Sequence, residues 1–368
     1  MPEAQRSNVN VKQILEYMVK VDASDLHLKV GLPPVLRVNG SLVPMKMPPL
    51  SSRDLQHIAA SIMTKEQRDK FSRYKELDFA IGVQGLARFR VNVFMQRGTI
   101  AIAMRTVPYS VRTIDELNLP PVLKDLSLKS RGLILVTGTT GSGKSTTLAA
   151  MIEHINQNVS KHIITIEDPI ELLFRDKKSI IAQRELGADT QSFATALRYV
   201  LRQDPDVILI GEIRDVETMD TALKAADTGH LVLSTLHTLN AAETINRIIS
   251  FYPPHQQEHI RVLLSATLVG VISQRLLPRA DGKGRVPAVE VLICTAMVRD
   301  YILDAKKTLL IPQAIEEGRQ YHMQSFDQAI LDLYKEGLVR YEDAIVAVTN
   351  PDEFNLRLRG ITGASDRF

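Results

Sequence analysis

Residues 138–145 read Gly138-Thr139-Thr140-Gly141-Ser142-Gly143-Lys144-Ser145, with Thr146 next. Glycines let successive backbone N–H groups curl around a phosphate. The lysine that follows reaches β- and γ-oxygens, and the hydroxyl after it ligates Mg²⁺. An apolar run, Leu133–Val136, precedes the octapeptide, and a helical pattern from Thr146 to Gln157 follows it. Strand, loop and helix in that order make a Gly-Lys-Ser a phosphate cradle rather than a chance turn. Residues Gly138 to Thr146 therefore imply a bound nucleoside triphosphate, with Mg²⁺ on Ser145.

A second apolar run, Val207–Ile210, ends in Gly211-Glu212. A buried strand of a parallel sheet delivers such an acid to the carboxyl edge, where phosphates lie. Gly211 stands where an acid holding Mg²⁺ through water is usual, so Glu212 reads as the group that polarises the attacking water. The structural alternative is a helix-opening acid paired with Arg214. Ile163–Ile166 ends in Glu167, an acid placed to orient a water near Mg²⁺. Leu231–Leu236 ends in His237-Thr238, with His230 at its start. A histidine there can hydrogen-bond the γ-phosphate and report its loss; cap or core roles are the structural alternative. Charge developing on a transferred phosphoryl also favours a guanidinium. Arg214 and Arg275 are candidates nearby, while Arg88, Arg90 and Arg105 lie in the leading part of the chain. A neighbouring subunit is expected to supply Arg88, Arg90 and Arg105 across an interface, against the plainer reading of solvated strand-face arginines.

The elements that must position these groups alternate. Short apolar runs separated by helical stretches read as strands buried on both faces, hence a parallel sheet covered by helices. After about Ala241 the pattern reads as mainly helical. The first ~110 residues read as a smaller α/β unit: a helix from Val11 to Val21, a tight turn at Asn39-Gly40, one helix from Ser51 to Tyr74, and a hairpin of Leu86–Met95 with Thr99–Val107. Pro108 to Pro121 holds three prolines and little periodicity, the mark of a linker. The expected organisation is an N-terminal domain over 1–110, a linker over 111–125, an ATPase core over 126–290, and a helical C-terminal region over 291–368 with a frayed tail from Gly360.

Composition narrows the partners. The chain has 368 residues, a net charge of +3, 5% aromatic residues and no tryptophan, which weighs against direct nucleic-acid binding. One cysteine, Cys294, excludes an intrachain disulfide and any tetracysteine zinc site. The longest mostly apolar stretch, Val262–Ile272, is too short for a membrane span, and Met1–Asn10 lacks a secretory apolar core. A cytoplasmic protein is expected.

The chain resembles the secretion and pilus ATPase superfamily, most closely the retraction ATPases of type IV pili, the PilT family. The likeness runs over Asp25-Leu-His-Leu28, Gly85-Leu-Ala-Arg88-Phe-Arg90-Val-Asn92, the phosphate loop, Ile164-Thr-Ile-Glu167-Asp168-Pro169-Ile-Glu171 and Gln183-Arg-Glu185. It continues through Leu201-Arg-Gln-Asp-Pro-Asp206, Gly211-Glu212-Ile-Arg214-Asp215, and Thr228-Gly229-His230 to His237-Thr238. Two departures stand out. Thr139 replaces a common proline, and the retraction signature near the C-terminus survives only as Ala296-Met-Val-Arg299-Asp-Tyr-Ile-Leu-Asp304.

The resemblance implies an α/β chain with a PAS-like N-terminal domain and a RecA-like ATPase domain, assembled as a homo-hexamer. ATP would lie between the domains with Mg²⁺, contacted by Arg90 and Arg105. Glu212 would match the catalytic glutamate, Glu167 the aspartate-box acid, and His230 and His237 the histidine box. The implied function is ATP hydrolysis powering pilus retraction at the cytoplasmic face of the inner membrane. An inner-membrane platform protein would be the partner, with room for a paralogous retraction ATPase. Alternatives are an accessory paralogue acting as a nucleotide-gated adaptor, or an assembly or secretion ATPase; the missing zinc cysteines weigh against the last.

Overall fold

The computed structural model describes residues 9–38, 40–107 and 111–359. The chain divides into two compact units, the first made of residues 1–110 together with 171–173 and the second of the remainder.

The first unit contains α1 (Val11–Lys20), β1 (Asp25–Leu28), β2 (Val35–Val38), β3 (Ser41–Pro44), α2 (Ser52–Ile62), α3 (Lys65–Tyr74), β4 (Glu76–Val83), β5 (Ala87–Gln96) and β6 (Thr99–Val107). Its sheet is antiparallel, in the order β3-β2-β1-β6-β5-β4. Period-2 alternation turns Phe89, Val91 and Val93 into a core shared with Ile14, Leu15 and Met18 of α1 and Leu55 and Ile58 of α2. The opposite face of β5 then carries Arg88 and Arg90. At the β5–β6 turn Arg97 and Gly98 both have positive φ (47° and 75°), as a two-residue hairpin turn requires. Asn39 of the other expected turn lies outside the described residues; Val38 pairs with Ser41 across it.

The single helix expected from Ser51 to Tyr74 is two. Met63 is extended (φ −101°, ψ 140°), and Thr64 opens α3 with a reciprocal capping box to Gln67, as Ser51 opens α2 with Asp54. Thr-x-x-Gln inside the pattern is a start signal that overrode the periodicity.

The second unit runs α4 (Val122–Ser127), β7 (Gly132–Thr137), α5 (Lys144–Asn158), β8 (His162–Glu167), β9 (Ile180–Glu185), α6 (Phe193–Val200), β10 (Val207–Ile210), α7 (Val216–Asp227), β11 (Leu231–Leu236), α8 (Ala241–Ser250), α9 (Pro254–Thr267), β12 (Leu268–Pro278) and β13 (Arg285–Ile293). Then come α10 (Ala296–Leu303), α11 (Ile311–Glu316), α12 (Phe326–Lys335), α13 (Tyr341–Ala347) and α14 (Pro351–Leu358). The sheet order is β13-β12-β7-β11-β10-β8-β9; all neighbours are parallel except β12 with β13. Every residue of β7, β10 and β11 is buried, with separate apolar clusters on the two faces of the sheet.

The expectation of a mainly helical chain after Ala241 is corrected by β12 and β13. Val262–Ile272 crosses directly from α9 into β12, and a strand buried on both faces has no alternation to set it apart from a helix. Leu277 and Val286 at the far ends of these strands pack with Phe326, Ile330 and Phe354 of the last helices. Among the described residues no helix is long and apolar enough to cross a membrane.

Candidate active site

The phosphate loop leaves β7 at Thr137 and enters α5 at Lys144. Two of its glycines are forced by crowding. A Cβ on Gly138 (φ 140°) would lie 2.5 Å from the Gln274 carbonyl oxygen and 2.6 Å from Ser142 Oγ; one on Gly143 (φ 93°) would lie 2.7 Å from Gln274 Nε2. Gly141 (φ 79°) faces open space and answers only to its left-handed backbone. Lys144 is buried, its ammonium donating to the carbonyls of Gly138 (2.8 Å) and Thr139 (3.0 Å). Thr139, Thr140 and Ser145 are exposed, Thr146 is half-buried, and Ser142 is buried.

Beneath the loop lie two β12 residues that sequence reasoning missed. Thr137 Oγ1 donates to Ser273 Oγ (3.0 Å), and Thr147 Oγ1 donates to Gln274 Oε1 (2.7 Å). A polar pair inside the apolar run Val269–Leu277 was the available signal, since buried polar groups need partners.

Parallel register brings three strand ends to the loop. Leu236 pairs with Thr137, Ser234 with Ile210, and Ile210 with Ile166. Glu212, Glu167 and His237 therefore emerge on the same edge as Gly138. His237 Nε2 lies 3.2 Å from Glu212 Oε2, and the Arg214 guanidinium contacts the other carboxylate oxygen, leaving that side chain 15% exposed. The pairing with Arg214, the structural alternative to a catalytic role, is present together with the His237 contact. Burial, Lys144 and Arg214 each hold the His237 pKa below its usual 6.5. Glu167 Oε1 accepts from Thr165 Oγ1 (2.6 Å) and Gln183 Nε2 (3.2 Å). A Cβ on Gly211 would lie 3.3 Å from the Ile166 carbonyl oxygen, which explains a glycine where β10 closes on β8.

His230 is placed elsewhere. It precedes β11, whose length of about 20 Å separates it from His237. Its carbonyl accepts from Gly132 N (3.0 Å), and its Nδ1 lies 3.0 Å from the Ala225 carbonyl oxygen. Within one subunit the fold does not bring it to Lys144. The Arg275 guanidinium donates to the Ala347 carbonyl oxygen (3.0 Å) and lies 4.0 Å over the Phe326 ring, which engages it with the C-terminal helices.

Arg90 and Arg105, both in the first unit, are brought to each other. They are directly opposite on β5 and β6, and the row continues to Asp25 on β1 and Arg37 on β2. Like charges directly opposite in a sheet are destabilising. Asp25 offsets part of that, accepting from Arg105 Nε at 2.8 Å with Arg37 Nε at 4.0 Å.

Whether the loop fits a nucleotide is decided by its glycines: side chains at Gly138 and Gly143 would collide with Gln274 beneath the loop and displace the backbone whose N–H groups form the cradle. For Mg²⁺, hydroxyl and carboxylate oxygens (Ser145, Glu167, Glu212) are the hard donors the ion takes, directly or through water. Among the described residues no cluster of three or more His, Cys, Asp or Glu is built to hold a metal outright.

A model of the type II/IV secretion system protein family matches residues 4–336. The chain belongs to the type II/IV secretion system protein family. Among relatives, the chain is 44% identical over 346 residues to the type IV pilus retractation ATPase PilT of Pseudomonas aeruginosa, covering 94% of this chain and all of that one. It is 41% identical over 348 residues to the type IV pilus ATPase PilU of the same organism, covering 95% and 91%. Among solved structures it is similar to the pilus retraction motor PilT with bound ADP, at 48% identity and a TM-score of 0.85, covering 94% of this chain and 99% of that one. The α/β class with an ATPase domain of the secretion family is thus the one expected from sequence.

Proposed function

We propose that this chain is a Mg²⁺-dependent, ATP-hydrolysing motor that powers type IV pilus retraction as a homo-hexamer at the cytoplasmic face of the inner membrane. One observation carries the chemistry: Glu212 stands at the end of β10 between His237 and Arg214, on the edge that also carries Lys144. Full-length likeness to PilT supports the retraction assignment.

In this reading the loop N–H groups and Lys144 bind the phosphates, and Ser145 with waters held by Glu167 supports Mg²⁺. The ion, when bound, supplies charge neutralisation at the β- and γ-oxygens. Glu212 takes the proton of the attacking water, and His237 senses whether the γ-phosphate is present. Arg90 and Arg105 of a neighbouring subunit offset charge developing on the transferred group. His230 has no part in the site of its own subunit. The likeness to PilU supports a second reading, an accessory retraction ATPase working beside a paralogous motor. In either case an inner-membrane platform protein receives the stroke.

The test pairs turnover with piliation. Lys144→Ala should lose ATP binding, whereas Glu212→Gln should bind ATP and hydrolyse at least ~100-fold more slowly. Deleting the gene should leave cells over-piliated and non-twitching for a principal motor; bald cells would make it an assembly ATPase. Parental turnover by Glu212→Gln would remove the assigned chemistry.

A further inference from the structure

Glu290 is a carboxylate in the interior of the ATPase unit, 8% exposed, with no place in the scheme above. On β13 it lies opposite Ser273 of β12, and Ser273 lies opposite Thr137 of β7, so the three side chains form one row across three strands. Thr137 Oγ1 donates to Ser273 Oγ at 3.0 Å, Ser273 stands directly across from Glu290 with its hydroxyl holding that carboxyl's pKa down, and Glu290 Oε1 accepts from Ala241 N at 2.8 Å.

Its two ends are the two sides of the catalytic edge. Thr137 is the residue before Gly138, whose carbonyl takes the Lys144 ammonium. Ala241 opens α8, four residues after His237. The turn between is pinned by Asn240 Oδ1 accepting from Glu243 N (2.8 Å) and by a 2.7 Å bond between the Thr238 and Thr244 hydroxyls. Burial raises the Glu290 pKa, opposed by the Ala241 N–H, the Ser273 hydroxyl and the Arg275 charge. A buried carboxyl group is costly to maintain, and structural hydrogen bonding to one helix N–H does not require it.

We propose that Glu290 is a positioning residue that keeps the His237–Ala241 turn in fixed relation to the phosphate loop, so that His237 stays against Glu212 while nucleotide is bound. It touches no reacting atom and acts through His237. The inference rests on the roles given above to Glu212 and His237.

The experiment is steady-state ATPase kinetics on the purified full-length protein, with fluorescent-ADP affinity and thermal melting measured alongside. Glu290→Ala should lower kcat about tenfold, as a displaced catalytic neighbour does, with ATP KM and ADP affinity within about twofold of the parent. Glu290→Gln keeps an acceptor for Ala241 N and should recover at least half of the parental kcat. Combined with His237→Ala, Glu290→Ala should add no further loss, because the two act as one unit. Losses that multiply, or a loss confined to KM, overturn the proposal, as does parental kcat in Glu290→Ala when His237→Ala is slow. If His237→Ala itself turns over at the parental rate, the sensor reading falls first and takes the proposal with it. Should Glu290→Ala not fold, Ser273→Ala removes only the hydroxyl that stands between Thr137 and Glu290: a kcat lowered about threefold, without multiplication by His237→Ala, supports the proposal, and parental kcat overturns it.

Discussion

Arg105 Nε donates to Asp25 Oδ1 at 2.8 Å, across two strands whose register sets the residues directly opposite. Asp25 is the single acid in a row that also holds Arg37, Arg105 and Arg90. Its own burial would raise its pKa, yet the hydrogen bonds from Ser24 and Arg105 hold it below the usual 3.8, so it stays ionised at any working pH.

The Asp25–Arg105 pair yields the first prediction. Asp25→Ala leaves Arg105 unanchored and removes the one acid that separates Arg37 from the Arg105–Arg90 pair. If Arg105 serves the nucleotide of a neighbouring subunit, hydrolysis by the assembled protein should fall about three- to tenfold. Arg105→Ala and the double variant should fall equally far. ATPase assays on the oligomeric fraction decide it; a parental rate in Asp25→Ala would leave Arg105 as a surface charge.

Two glycines of one loop should respond differently. Gly138→Ala meets backbone and side chain at 2.5–2.6 Å and also left-handed strain. It should cost about 3 kcal/mol or more and abolish nucleotide binding. Gly141→Ala meets only the strain of its positive φ, about 1–2 kcal/mol, and should retain a folded loop with weakened affinity. Thermal melting and fluorescent-ADP titration of both variants would check this; equal effects would contradict the geometry.

His237 sets an acidic limit. Because its pKa is depressed, the folded state binds fewer protons here than the unfolded chain, so its contribution to stability is present above 6.5 and lost as the pH falls below it. Protonation also places a cation against Glu212 and weakens that carboxylate as a base. Hydrolysis should therefore be flat at neutral pH and fall on an acid limb lying below 6.5. His237→Gln should lower the plateau and remove this limb; an unchanged limb would assign it to another group.

Asp206 tests the opposite edge of the sheet. It accepts from Lys161 Nζ (2.8 Å) and His162 N (2.9 Å), tying the start of β8 to that of β10. Burial raises its pKa, but these two donors outweigh it and leave it below 3.8. Asp206→Asn should lose about 1 kcal/mol at neutral pH, the pair being partly solvated. A depressed acid stabilises above 3.8 and loses that contribution as the pH falls through its folded-state value. The gap in melting temperature between parent and variant should close in strong acid.

The sequence by itself determined the phosphate loop, the strand that feeds it, the helix that leaves it and the carboxylate of Glu212, because each is a local matter of residue type, spacing and flanking pattern. It also set apart an N-terminal α/β segment through alternation in β5 and β6. Only the tertiary structure decided what lies across the sheet. Ser273, Gln274 and Glu290 come from strands buried on both faces, which lack the alternation that would set them apart from helix. Their partners are 49 to 136 residues away, so no local pattern could announce them. The two histidines show the same limit: His230 and His237 look equivalent in sequence, but β11 is a rod, and a rod has two ends.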